Sequence, residues 1–356
     1  MKSTFFLLLG LCVALPPTAS AGGKTGTLDL YWIDSEGGGS TLIVTPNDES
    51  VLIDTGNPGG RDPARIVAAA KAAGLTRIDY VLLTHYHGDH FGGGAEVAQQ
   101  LPVGTIFERG IPEGDPDGRA TSNFPLQIKA WREIPARREK LAPGVVIPLH
   151  GVSGGPHLEL RCLAADKQQI APTAAQGQET NPRPVPSPAK PIPPSDNDNS
   201  AVFLLSFGDF RFFDGGDLTW EYEGRLVSPH NVVGPVDVYQ TDHHGLEVSN
   251  NPVLIQSLAP TVSVMNNGPT KGGKPETFAT LKAIGSLQAR YQLHKSMNVP
   301  AEENAPDEFI ANLEPAKPAD LCPANLIMMS VAADGKSYTL SVPARGHTHT
   351  YRTTAK

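Results

Sequence analysis

Short apolar runs recur along the chain, some alternating and some unbroken, and most are ended by glycine, proline or asparagine. Thr27 to Ile33, Thr41 to Val44 and Val51 to Ile53 are divided by Gly37-Gly38-Gly39 and by Pro46-Asn47-Asp48. This pattern predicts strands joined by turns. Asp62-Pro63 then opens an Ala-rich stretch closed by Gly74. A capping side chain, a proline at the first helical position and a glycine past the end predict a helix there. Ile78 to Leu83 reads as another strand and runs straight into Thr84-His85-Tyr86-His87-Gly88-Asp89-His90-Phe91-Gly92-Gly93.

The second half repeats the theme after an interruption. Ala171 to Asp198 is crowded with Pro, Ala, Gln and Asn, and so few apolar side chains cannot offset the entropy of ordering them. It reads as an exposed insertion within a domain, either a cover for a functional edge or a passive loop. Ala201 to Ser206 and Phe210 to Phe213 are strands turned by Phe207-Gly208-Asp209, and the second ends at Asp214-Gly215-Gly216-Asp217. Val236 to Thr241 is a strand followed by Asp242-His243-His244-Gly245. A short helix from Asn251-Pro252, a strand from Thr261 to Met265 and a helix from Pro275 to Leu287 follow. Leu326 to Ala332 and Ser337 to Val342, split by Asp334-Gly335, predict a hairpin. Strand groups interrupted by helices in both halves predict a sheet-on-sheet core with helices outside.

Composition narrows the function classes. The 356 residues are 39% hydrophobic and 19% charged, with a formal net charge of −8, so the chain is globular and its overall field repels polyanions. Nucleic acid as a partner is disfavoured by this charge unless a local basic groove exists, and Lys271 and Lys274 lie close together. Met1-Lys2, the apolar run Phe5 to Leu15 and Ala19-Ser20-Ala21 follow the order of a secretory signal cleaved after Ala21, so residues 22–356 are expected to form one secreted or periplasmic domain. The run is shorter than a bilayer span requires, and no other segment approaches one. Cys162 and Cys322 remain, either as a disulfide or as two buried thiols.

Divalent metals such as zinc take imidazole and carboxylate ligands, and catalytic sites leave a coordination position open. His85-X-His87-X-Asp89-His90 offers four such ligands in six positions at the end of a strand. His85 and His87 can point to one side, while the turning chain aims Asp89 and His90 at a second point, so two metals are expected. Asp54-Thr55-Gly56, Thr84 to His90, Gly216-Asp217 and His243-His244-Gly245 occur in the order of the metallo-β-lactamase superfamily, which the chain resembles over most of its length. The resemblance implies a four-layer αββα sandwich of the α/β class, with His85 and His87 on one metal, Asp89 and His90 on the other, and Asp217 bridging. A late histidine would complete the second site. Asp198-Asn199-Ser200 before a strand, with Gly216-Asp217 and His243-His244-Gly245, most resembles the hydrolase domain attached to ComEC-type DNA-uptake channels and its stand-alone relatives.

His244, beside the glycine, is expected to be the late ligand, with His243 as a supporting donor or proton carrier and Asp54 as a brace. The superfamily pattern usually includes another histidine between Asp89 and Asp217. Only His150 and His157 lie in that interval, in glycine-rich loop contexts, so the first metal could have a weak shell, be replaced by solvent or be missing. His347-Thr348-His349 reads as a solvated tail, and His230 and His294 as surface or satisfied positions. No Walker sequence supports a P-loop mechanism.

These features point to a hydrolase with two zinc ions, or manganese, acting through a hydroxide generated on the metal. Asp89 would orient the attacking water. The expected substrate is a phosphodiester or related ester, or another small molecule. A lactam or lactone hydrolase and a non-catalytic metal-binding protein are the competing classes.

Overall fold

A computed structural model describes residues 22–183, 190–313 and 322–354. The proposed signal segment lies outside the described residues, as do 184–189 within the insertion. Strands β1 (Leu28–Trp32), β2 (Thr41–Val44), β3 (Ser50–Ile53), β4 (Ile78–Leu82), β5 (Val103–Glu108) and β6 (Arg137–Lys140) come first. Then follow β7 (Leu158–Ala165), β8 (Gln168–Gln169), β9 (Val202–Phe207), β10 (Phe210–Asp214), β11 (Val238–Gln240), β12 (Val262–Met265), β13 (Ala289–His294) and β14 (Ile310–Asn312). The chain closes with β15 (Ile327–Val331), β16 (Ser337–Val342) and β17 (His347–Arg352). Among the described residues these form a nine-stranded sheet, β17-β16-β15-β1-β2-β3-β4-β5-β6, and an eight-stranded sheet, β14-β13-β12-β11-β10-β9-β7-β8.

The two sheets face each other. Leu28, Leu30 and Trp32 of β1 and Ile43 of β2 pack in one cluster with Leu160, Phe203, Leu205 and Phe212 of the second sheet. The alternate residues Tyr31, Leu42 and Leu52 turn outward onto helices α1 (Arg61–Ala72), α3 (Gly94–Ala98) and α4 (Phe124–Arg132), which follow the four-residue α2 (Gly88–Phe91) in the case of α3 and α4. On the far side, Val202, Leu204 and Phe213 meet residues of α6 (Pro252–Leu258) and α7 (Pro275–Lys282), beyond the short α5 (Trp220–Arg225). Strands buried on both faces need apolar residues at successive positions, which is why β9 reads as an unbroken run rather than an alternation. The result is an αββα sandwich.

Several elements differ from expectation. α1 starts at Arg61 after Gly60, and Asp62 lies inside its first turn, where its carboxylate accepts from Asn57 N at 2.8 Å instead of capping. α7 ends at Lys282, five residues short of Leu287. His347 to His349 belong to edge strand β17, whose pairing with β16 orders a stretch that its polarity made look like a tail. The insertion is not uniformly exposed. Asn181 is buried, with its amide on Val227 O and Ser257 Oγ, and Asp196, Asn197 and Asp198 form a buried turn. Cys162 and Cys322 are buried free thiols. No helix among the described residues is long and apolar enough to cross a membrane.

Candidate metal centre

Strands β3 and β4 pair in parallel, as do β10, β11 and β12, so the segments leaving β3, β4, β10 and β11 emerge at one edge of the sandwich. Ala201 N donates to Thr84 O at 2.9 Å, and Gln240 Oε1 accepts from both Trp32 Nε1 and Thr41 Oγ1. These bonds lock the ligand-bearing ends of the two sheets together. Gly216 has φ +56°, and a Cβ there would stand 2.9 Å from Thr84 Cβ. Only glycine therefore lets the Asp214 to Asp217 turn lie against the histidine loop. His243 and His244 take the left-handed conformation in succession, with φ 50° and 55°. Such backbone is uncommon outside glycine and asparagine and concentrates at functional sites.

The side chains converge. Asp217 Oδ2 lies 3.3 Å from His90 Nε2, 3.3 Å from His243 Nε2 and 3.9 Å from His85 Nε2, and its Oδ1 lies 3.3 Å from His244 Nε2. Asp89 Oδ2 is 3.5 Å from His90 Nε2 and 3.6 Å from His244 Nε2. One ligand atom from each of Asp89, His90, Asp217 and His244 falls within 4.8 Å of all the others. His85 Nε2, His90 Nε2 and His244 Nε2 are buried without a hydrogen-bond partner. Unpaired buried nitrogens are costly, and a divalent cation shared with the two carboxylates would satisfy them. The residues present fit a metal.

Each ring is held by its other nitrogen. His90 Nδ1 donates to Asp54 Oδ2 at 2.6 Å, and His244 Nδ1 to Asn266 O at 3.3 Å. Thr84 Oγ1 donates to Asp54 Oδ2, so it accepts from His85 Nδ1 at 3.1 Å. His87 Nε2 lies 2.8 Å from Asp117 Oδ2, which leaves Nδ1 as that ring's free donor atom. Such outer partners fix the tautomer and aim the lone pair. Asp54, itself at φ 59°, thus orients two of these rings, His90 directly and His85 through Thr84. Asp117, Asp196 and Asn266 were not singled out from the sequence, because isolated polar residues in loops carry no spacing signal. Asp196 N donates to Asp117 Oδ1, and Asp196 Oδ2 accepts from Tyr86 N, tying the end of the insertion to this rim.

Electrostatics agree with a site built for positive charge. Burial opposes charging of His90, yet Asp217, Asp54 and Asp89 together raise it well above the usual imidazole range. Burial, with His90 and His87 nearby, pushes His85 well below that range, and burial brings His243 down to about 4. Burial would raise Asp217 and Asp89, but neighbouring histidines, and the Lys271 ammonium beside Asp89, hold both carboxyls well below the usual range. Lys271 pairs with Asp89 Oδ2. It is 42% exposed and Asp89 19%, so this pair marks the open side.

The remaining histidines lie elsewhere. His150 pairs with Glu49 and His157 approaches Glu159, with side chains 78% and 79% exposed, so neither completes the centre. His230 is half-buried, with Nδ1 on Glu179 O. His294 is buried on Asp34 Oδ1 at 2.8 Å beside Cys322. Arg65 also reaches Asp34 Oδ2 at 3.1 Å, which neutralises this second cluster internally.

Residues 34–159 match the metallo-beta-lactamase superfamily. That stretch, which holds the His85 to His90 loop, is similar to this superfamily. Over 138 residues it is 37% identical to a metal-dependent hydrolase of Thermodesulfovibrio yellowstonii, covering 36% of this chain and 47% of that protein. Over 258 residues it is 25% identical to ComE operon protein 3 of Bacillus subtilis, covering 68% of this chain and 28% of that one. This chain thus spans less than half the length of either relative. The solved metallo-beta-lactamase fold protein YhfI from Bacillus subtilis superposes with a TM-score of 0.42 at 13% identity, over 74% of this chain and 96% of that one.

Proposed function

We propose that this metal-dependent hydrolase acts outside the cytoplasm on a phosphodiester or related ester, with His85, His87, Asp89, His90, Asp217 and His244 holding two zinc or manganese ions. The reading is carried by the convergence of three unpaired imidazole nitrogens on Asp89 and Asp217. Divalent cations bound there supply Lewis acidity and acidify a water to a pKa of about 7, within reach of neutral pH. Asp54 and Asp117 keep the rings of His90 and His87 in the ligating tautomer. Asp89, on the open side, accepts a hydrogen bond from the attacking water and orients it. Lys271, paired with Asp89 on the open side, would supply an ammonium to the anionic oxygen of a phosphoester. The ComEC-like resemblance supports this substrate class, and the N-terminal sequence supports export.

The test is hydrolysis of bis-p-nitrophenyl phosphate, nitrocefin and homoserine lactones by the purified protein, before and after chelation and with zinc or manganese restored. Phosphodiester turnover that vanishes on chelation and returns with metal is the expected result. Turnover indifferent to chelation overturns the metal assignment, and exclusive turnover of lactam or lactone overturns the substrate class.

A further inference from the structure

The superfamily's usual intermediate histidine has no counterpart in this chain, and neither His150 nor His157 approaches the centre. A different residue fills that role by geometry. Ser249 Oγ donates to Leu218 O at 2.7 Å, so its lone pair accepts from His243 Nδ1 at 3.2 Å. That bond places the ring's proton on Nδ1 and leaves a lone pair on Nε2. His243 Nε2 lies 3.3 Å from Asp217 Oδ2, the same oxygen that stands 3.9 Å from His85 Nε2. Among the described residues its hydrogen-bonding neighbour is Asn197 Nδ2, at an outer-limit 3.4 Å, while Asn197 Oδ1 is buried and unpartnered. His243 is outside the Asp89, His90, Asp217 and His244 group, and its Nε2 shares Asp217 Oδ2 with His85 Nε2, whereas His244 Nε2 stands on Oδ1.

We infer that His243 is a ligand of the first metal, together with His85, His87 and Asp217, and replaces the missing histidine. The adjacent pair then divides its labour, His243 to one ion and His244 to the other. Two successive left-handed residues are the backbone device that lets neighbours in sequence serve both. Ser249 is a positioning residue, and the role replaces the proton carriage expected of His243.

This inference rests on the two-metal reading and is tested by metal content. His243→Asn removes the imidazole while keeping a residue type that tolerates left-handed backbone. After dialysis against zinc and elemental analysis, the wild-type chain is expected to hold two ions and the variant one, with circular dichroism unchanged. Ser249→Ala is expected to weaken the first ion by about 10- to 100-fold. Anomalous diffraction at the zinc edge of the wild type should place one ion on His243 Nε2. Two ions retained by His243→Asn, or a wild-type ion pair that leaves His243 unligated, overturns the inference alone. A wild-type chain that binds no zinc or manganese overturns the metal reading beneath it.

Discussion

His90 Nδ1 lies 2.6 Å from Asp54 Oδ2, and that contact decides which face of the imidazole is available to a metal. Asp54 Oδ1 is meanwhile occupied by Thr84 N at 2.9 Å. In Asp54→Asn the oxygen stays on Thr84 N and the amide NH2 turns toward His90. The proton then moves to Nε2, where it blocks the ligand position. A loss of about 10- to 100-fold in metal affinity is expected, measurable by competition with a chromogenic chelator. Unchanged affinity would mean that Asp54 does not set the tautomer.

Lys271→Ala tests the substrate class. A hydrogen bond from an ammonium to an anion contributes about 1.5–3 kcal/mol when shielded, and exposure discounts it to about 1 kcal/mol. The KM for bis-p-nitrophenyl phosphate should rise by about fivefold, more at low salt, while an uncharged ester such as p-nitrophenyl acetate is little affected. Equal effects on both substrates would place Lys271 in site architecture instead of anion recognition.

Asp214 gives the metal-free protein a pH dependence. Burial first, and the nearby Asp54, raise its carboxyl from 3.8 to about 7, against the pull of Gly216 N and His90. The folded chain therefore binds a proton that the unfolded chain has released between those values. Its stability falls as pH rises from about 4 to about 7, by at most roughly 4 kcal/mol. Asp214→Asn keeps an oxygen for Gly216 N and cannot ionise. In denaturant titrations its stability relative to wild type should grow between pH 5.5 and 8. A gap independent of pH would rule Asp214 out as the source.

Gly216→Ala should destabilise the protein by about 1–3 kcal/mol, since it adds left-handed strain to a Cβ pressed on Thr84. Because Asp217 follows directly, metal affinity should fall with stability. Thermal unfolding and zinc titration measure both, and a variant with wild-type values in each would show the turn to be free to relax.

Legibility from the sequence tracked the range of the interactions involved. The His85 to His90 spacing and the apolar run before it were read as a histidine-rich loop at a strand end because all its parts are local. Polar strand β17 and the buried turn at Asp196 to Asp198 were misread, since pairing with β16 and contacts to Asp117 and Tyr86 order them from outside.

Residue order alone determined the two strand-rich halves, the helices between them and the types of side chain available to a cation, because periodicity and donor chemistry are written in neighbouring positions. Only the folded chain decided that His150 and His157 stand apart, that Asp54 and Ser249 fix which ring nitrogen is free, and that His243 and His244 both reach Asp217. Those outcomes depend on contacts between residues far apart in the chain, such as His244 with Asp89 and His90 with Asp217, and on backbone dihedrals that spacing does not encode.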